Sequence, residues 1–92
     1  LLGVSYKPGI ADTRETPAKE ILDYCTELGA RVSWWDPIVD NWLPGKIEKI
    51  SEKKFDLIII QVLHNKDYIK TLSELETTLF DCTGEIESAY RL

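Results

Sequence analysis

The sequence predicts a single α/β domain built on a short parallel sheet. Apolar runs of strand length, at residues 1–6, 30–35, 55–63 and 78–81, alternate with segments of helical apolar periodicity. Parallel strands require crossover connections of this kind, and the crossing helices cover both faces of an open sheet. A chain of 92 residues is also too short for two independent cores.

The first helix is predicted from its two ends as well as from its apolar stripe. Thr16 can serve as its N-cap and Pro17 suits the first helical position. Gly29 suits the left-handed residue that ends many helices. The stripe between them consists of Ala18, Ile21, Leu22, Cys25 and Leu28, and it predicts that Cys25 is a packed core thiol.

The remaining elements follow from apolar runs and turn residues. Residues 30–35 predict a second strand, ended by Asp36 and Pro37, whereas residues 38–54 predict a loop with a short helix. The β-branched run at 57–60 predicts a buried third strand. Asn65 can cap a helix from Lys66 to about Thr77, residues 78–81 predict a fourth strand, and the tail from Cys82 shows no period.

Composition argues against several classes of partner. Eleven basic and sixteen acidic residues give a net charge of −5, which disfavours nucleic acid and anionic membranes as partners. No apolar run approaches the ~20 residues of a membrane span. The two cysteines have neither metal-ligand spacing nor a disulfide pattern, so we expect no metal and a reducing cytoplasm.

The start of the sequence predicts that the chain is a piece of a longer protein. It contains no methionine and begins inside an apolar run, at Leu1. We therefore expect residues 1–92 to form one domain excised from a larger chain.

The loop after the first predicted strand carries the residues best suited to bind an anion. In parallel sheets, ligands bind beyond the carboxyl ends of the strands. Lys7, the turn at Pro8 and Gly9, and Arg14 precede a capped helix N-terminus, a set that can hold a phosphate. A solvated lysine is the plainer interpretation of Lys7. The glycine fingerprint G-x-G-x-x-G of dinucleotide sites is absent from the sequence.

Residues 3–18, with the sequence GVSYKPGIADTRETPA, closely resemble the opening of the C-terminal, UDP-binding domain of the UDP-glucose/GDP-mannose dehydrogenase family. The Asp-Pro pair at 36–37 and the strand followed by His64 match that family in kind and order. The resemblance implies an incomplete Rossmann-like domain, a three-layer sandwich with a short parallel sheet.

The resemblance also implies a function. Tyr6 and Lys7 match positions that contact the uridine diphosphate of the substrate, and Arg14 matches an arginine that reaches NAD on another domain. The parent would be an NAD-dependent UDP-sugar 6-dehydrogenase that oxidises a sugar C6 alcohol to a carboxylate, acting as a homodimer or higher oligomer. Its catalytic groups lie in domains outside this chain, so we expect the 92 residues alone to be inactive.

Two further residues are candidates for the border of the site. His64 follows the third predicted strand, although a loop histidine bonded to nearby backbone is the plainer interpretation. Thr83 stands where related chains carry an arginine that holds the diphosphate, which predicts weak UDP binding. The alternative function is a non-catalytic α/β interaction or regulatory module, and the sequence leaves the identity of the sugar open.

Overall fold

The computed structural model describes residues 1–51, 53–86 and 89–91. Its helices and strands, in chain order, are α1 (Ala18–Glu27), β1 (Leu57–Ile60), α2 (Tyr68–Ser73), β2 (Thr78–Asp81) and β3 (Tyr90–Arg91). The predicted α/β class is therefore confirmed. Residues 87, 88 and 92 of the tail, for which no period was predicted, lie outside the described residues.

The described strands form one parallel sheet. β1 pairs with β2 from Leu57–Thr78 to Ile60–Asp81, and β2 pairs with β3. Leu2 extends this sheet, because it bridges both Ile60 and Trp35 in the parallel sense. Across the sheet the order is therefore Trp35, Leu2, β1, β2 and β3. Numbered along the chain, these segments are the second, first, third, fourth and fifth. In such an order the carboxyl ends of the first and third segments flank the point where ligands bind.

The predicted first strand, residues 1–6, is wrong beyond its start, since only Leu2 forms a bridge. Gly3 adopts a φ of +83°, which is the left-handed region and not that of an extended strand. The next amide, that of Val4, donates to the side chain of Asp36 and not to a neighbouring strand. A side-chain acceptor thus ends the ladder early.

The predicted second strand, residues 30–35, is likewise reduced to Trp34 and Trp35. The short helix predicted within 38–54 is absent from the described part of that segment. Lys46 forms a parallel bridge with Trp34 instead, through bonds between the backbones of Trp34, Gly45 and Ile47. Gly45 has a φ of +101°, so the break expected from Pro44 and Gly45 redirects the chain into the sheet.

The predicted C-terminal end of α1 is confirmed, whereas the helix begins one residue later than predicted, with Pro17 and not Thr16 as its N-cap. The hydroxyl oxygen of Thr16 accepts the Ala18 amide at 3.2 Å, and Pro17 immediately precedes the first helical residue. Gly29 has a φ of +93°, and its amide and that of Ala30 donate back to the last turn of the helix. These local signals act within a few residues, which is why the sequence predicts them well.

The second helix is shorter than its prediction of Lys66 to about Thr77. The side-chain oxygen of Asn65 accepts the Asp67 amide at 2.9 Å and its carbonyl accepts that of Tyr68, so the first turn is not yet α-helical. At the other end, Glu76 has a φ of +52°, which an α-helix cannot continue through.

The buried residues form two hydrophobic clusters. The first combines Leu2 with residues of β1, β2 and the segments that follow them, and Leu72 of α2 belongs to it. The second consists of Val4, Ala18, Trp34 and Val39, and α1 contributes only Ala18. The two helices therefore pack into different clusters.

The predicted stripe of α1 is largely outside the core. Leu28 is 72% exposed, and Ile21 and Leu22 are partly exposed. Cys25 is also partly exposed, and it lines a surface cavity of about 640 Å³ with residues from the start of β1. The prediction of a packed core thiol at Cys25 is therefore wrong.

Candidate functional site

A cavity of about 460 Å³ opens at the carboxyl ends of the parallel segments. It lies between the loop after Leu2 and the loops after β1 and β2, where the order of segments along the sheet predicts a ligand. Its lining residues are Tyr6, Lys7, Pro8, Gln61, Val62, Leu63, His64, Lys66, Thr83 and Glu85. The structure thus brings four sequence-predicted site residues, Tyr6, Lys7, His64 and Thr83, to one cavity.

Tyr6 and Lys7 stand exposed on the first of these loops. Tyr6 is 51% exposed, although its amide is fixed by a 2.7 Å bond to the carbonyl of Asp12. The carbonyl of Lys7 accepts the Ser5 hydroxyl at 3.0 Å, so the backbone is held while the side chain is solvated. In the part of the chain that the structure describes, no carboxylate forms an ion pair with Lys7. Its ammonium is available to an anion in the cavity.

His64 is held by three partners. The Gly9 amide donates to Nδ1 at 2.9 Å, while Nε2 lies 2.9 Å from Oδ2 of Asp36 and 3.2 Å from the Ser5 hydroxyl. Because Nδ1 accepts a hydrogen bond, this arrangement assigns the ring proton of neutral His64 to Nε2, which donates to Asp36. The side chain of His64 is only 4% exposed.

Asp36 is the centre of this arrangement. Its side chain is fully buried and accepts the amides of Val4, Ile38 and Val39, each at 2.9 Å, in addition to Nε2 of His64. We call Asp36, His64, Ser5 and Gly9 the Asp36–His64 network. The network joins the first loop to the segments that follow Trp35 and β1. Asp36 therefore does more than end the second segment, which was its expected task.

The network is not a nucleophilic triad. In a Ser–His–Asp triad the serine and the aspartate face opposite ring nitrogens. One nitrogen can then take the serine proton while the other donates to the aspartate. Here Ser5 and Asp36 both face Nε2, and Nδ1 is occupied by the Gly9 amide. The geometry supports the backbone-bonded interpretation of His64 and gives it the task of fixing the loop.

The side chain of Thr83 is engaged by its own loop. Its hydroxyl donates to Oδ1 of Asp81 at 2.6 Å and accepts the Glu85 amide at 3.2 Å. Asp81 is buried and also accepts the amides of Thr83 and Ile86. Burial by itself would raise the pKa of Asp81, but the hydrogen bonds from Thr83, Ile86 and Glu85 outweigh it, and the net pKa is lowered.

Lys66 and Glu85 are cavity residues that sequence reasoning missed. Nζ of Lys66 lies 3.2 Å from Oε2 of Glu85, and this contact joins the loop after β1 to the loop after β2. Both residues line the cavity that holds Lys7 and Thr83. The available signal was the position of Lys66, two residues beyond His64 at the end of the third predicted strand.

Arg14 does not line this cavity. Its guanidinium binds Asp12 through two bonds, of 3.0 and 2.8 Å, and its side chain is 88% exposed. The hydrogen bonds from Arg14 lower the pKa of Asp12 to about 2. Arg14 thus lies on the surface, paired with a carboxylate two residues away.

Residues 1–51, 53–86 and 89–91 include neither a metal-binding cluster nor a membrane-spanning helix. These residues contain no group of three or more His, Cys, Asp or Glu side chains that could hold a metal ion. None of their helices has the length and apolar character that crossing a membrane requires.

Comparison with known proteins identifies relatives of the chain. Residues 1–83 match the model of the UDP-glucose/GDP-mannose dehydrogenase family, UDP binding domain. A UDP-N-acetyl-D-mannosamine dehydrogenase of Methanococcus aeolicus is 33% identical over 82 residues, which cover 82% of this chain and 19% of the relative. A protein of the same name from Methanococcus maripaludis is 31% identical over 74 residues, which cover 80% of this chain and 17% of the relative.

The chain thus spans about a fifth of the length of the curated relatives it matches. A further UDP-N-acetyl-D-mannosamine dehydrogenase, from another strain of Methanococcus maripaludis, is 42% identical over 40 residues, covering 44% of this chain and 9% of the relative. No solved structure matches at a significant level.

Proposed function

The chain belongs to the UDP-glucose/GDP-mannose dehydrogenase family as a UDP binding domain, and from this we propose that the 460 Å³ cavity binds the uridine diphosphate of a sugar nucleotide. The observation that carries the proposal is the exposed Lys7, which lines the cavity together with Tyr6. An ammonium beside a partly exposed aromatic ring suits a ligand with both a diphosphate and a base.

The Asp36–His64 network supports this proposal because it holds the binding loop before any ligand arrives. Gly9 lies two residues after Lys7, and its amide donates a hydrogen bond to His64. The Ser5 hydroxyl bonds the carbonyl of Lys7 from the other side. A loop that is already ordered loses less conformational entropy on binding, and more of the interaction energy is therefore available as affinity.

In the parent protein, the reaction we propose is the NAD-dependent oxidation of the C6 alcohol of a UDP-sugar to a carboxylate. Residues outside this chain would supply the catalytic groups, and the 92 residues alone would be inactive. Arg14 is exposed and lies outside the UDP cavity, which suits contact with NAD bound by another domain. UDP-N-acetyl-D-mannosamine is the first substrate to test, because it appears in the names of the three relatives.

The remaining parts of the proposal concern architecture and setting. We propose that α1 and α2 cover opposite faces of the sheet in a three-layer sandwich, since their buried residues belong to separate clusters. We also propose a cytoplasmic parent that acts as a homodimer or higher oligomer. The expectation of a reducing compartment comes from the spacing of the two cysteines, which fits no disulfide framework.

Calorimetric titration of the 92-residue chain with UDP, UMP and uridine tests the proposed site. Lys7→Ala should weaken UDP binding by about 1.5–3 kcal/mol, the usual value of a charge-assisted hydrogen bond, and leave uridine binding unchanged. Lys70→Ala is the matched control, because Lys70 carries the same charge on α2 outside the cavity. If UDP does not bind, or binds equally well without Lys7, the proposal is wrong and an interaction module becomes the better hypothesis.

A further inference from the structure

The cavity contains a second cation beside Lys7. Lys66 lines the same cavity, and its side chain is 75% exposed. It lies next to Asn65, whose side chain and carbonyl accept the amides of Asp67 and Tyr68 and so fix the backbone around it. The backbone at Lys66 is therefore fixed, while its exposed side chain, including the ammonium, can reorient.

Thr83, the candidate residue at the other border of the cavity, is poorly placed to bind a phosphate. Its single hydroxyl proton is directed at Oδ1 of Asp81, 2.6 Å away. Donating to a phosphate would require breaking this bond to a buried carboxylate. A second group that binds the diphosphate must therefore come from another residue of the cavity.

The ion pair between Lys66 and Glu85 lies at the same end of the cavity as Thr83. Glu85 follows Thr83 by two residues, and its amide donates to the Thr83 hydroxyl. The contact of 3.2 Å joins side chains that are 75% and 43% exposed. Exposed ion pairs of this kind are weak, because water and salt screen them.

We propose that Lys66 is the second diphosphate-binding cation of this domain, and that Glu85 is its counter-ion in the empty site, displaced when the diphosphate binds. The proposal rests on the proposed function of the cavity. A diphosphate carries more than one negative charge, so it can contact both Lys7 and Lys66. The single carboxylate of Glu85 can neutralise only one of these two lysines. Glu85 thereby opposes ligand binding through competition for Lys66 and through repulsion of the phosphates.

Titration of the 92-residue chain with UDP at low ionic strength tests this assignment. Lys66→Ala should lower the affinity for UDP about tenfold, and Glu85→Gln should raise it about two- to fivefold. Neither change should alter the affinity for uridine, which lacks phosphates. Lys70→Ala removes the same charge on α2, four residues after Lys66 and outside the cavity, and should leave both affinities unchanged.

The double variant Lys66→Ala/Glu85→Gln separates competition from repulsion. Because competition requires Lys66, the gain from Glu85→Gln should be smaller in the Lys66→Ala background than in the unsubstituted chain. Equal gains in the two backgrounds would overturn the counter-ion role of Glu85.

The outcomes distinguish this inference from the function on which it rests. One outcome is that UDP binding depends on Lys7, but the Lys66→Ala variant binds UDP as tightly as the Lys70→Ala control. This outcome would overturn the role of Lys66 and leave the proposed function standing. If the unsubstituted chain does not bind UDP, both fail. Thermal melting of each variant identifies any loss of affinity that arises from unfolding.

Discussion

Nε2 of His64 lies 2.9 Å from Oδ2 of Asp36, although 28 residues separate the two in the chain. Both side chains are almost fully buried, and through them the loop that carries Lys7 is joined to two other segments at the carboxyl ends of the strands. Charge-assisted hydrogen bonds between buried groups are strong. Removing one partner leaves the other buried without a hydrogen bond, which destabilises the fold. The network thus fixes the geometry of the cavity.

Asp36→Ala should destabilise the fold by about 3 kcal/mol or more. The substitution leaves the amides of Val4, Ile38 and Val39 without their acceptor and His64 without its partner. Urea denaturation monitored by tryptophan fluorescence measures the loss. Asp40→Ala is the control, because Asp40 is 90% exposed and should change stability by less than about 0.5 kcal/mol. Similar losses in the two variants would contradict the importance of the network.

Gly3→Ala should destabilise the fold more than Gly84→Ala. Both glycines have a positive φ, of +83° and +79°, so an alanine is strained at either position. At Gly3 a Cβ would also lie 2.0 Å from the Val62 carbonyl oxygen, whereas at Gly84 it would meet nothing within 4 Å. We expect a difference of about 2 kcal/mol or more in unfolding free energy. Equal losses would show that Val62 moves freely aside.

His64→Leu should weaken UDP binding about three- to tenfold while leaving Lys7 in place. Without the imidazole, the Gly9 amide loses its acceptor and the loop becomes less ordered, so binding must restore that order. Hydrogen exchange at the Gly9 amide should accelerate in the variant, and calorimetry gives the affinity. Unchanged exchange at Gly9 would contradict the anchoring role of His64.

Asp81 should make the stability of the fold decline in acid. Its pKa is lowered in the folded state, so its contribution is present above the unfolded value of about 3.9 and is lost as the pH falls through the folded value. Asp81→Asn should therefore be less stable than the unsubstituted chain at pH 6, and the difference should shrink between about pH 4 and pH 2. Urea denaturation across this range provides the measurement. A difference that is constant with pH would show that the Asp81 charge does not stabilise the fold.

Elements defined by neighbouring residues were predicted well from the sequence. β2 occupies Thr78–Asp81 as predicted, and α1 ends before the predicted Gly29, although it begins at Ala18, one residue later than predicted. The first predicted strand was too long because the acceptor that ends it, Asp36, is 32 residues away from Val4. β3 was not predicted, since a two-residue strand has no periodicity of its own.

The gathering of candidate residues at one cavity was predictable for Tyr6, Lys7, His64 and Thr83. Each lies at the end of an apolar run or shortly after it, and parallel strands end at the same edge of a sheet. The partners of these residues were not predictable. The bonds of His64 to Gly9 and Asp36, and the pair of Lys66 and Glu85, join loops whose separation depends on how the sheet is assembled.

The sequence by itself determined the α/β class, the C-terminal end of α1, and the edge of the sheet that carries the candidate site. These features depend on local backbone preferences and on the alternation of strands and helices, both of which are written in short stretches of chain. Only the tertiary structure decided that Asp36 would capture the Val4 amide, that Cys25 would remain partly exposed, and that the Thr83 hydroxyl would be directed at Asp81. The physical reason is that a buried polar group forms a hydrogen bond with the partner that the packed fold places within about 3 Å. Spacing along the chain does not specify which residue that partner is.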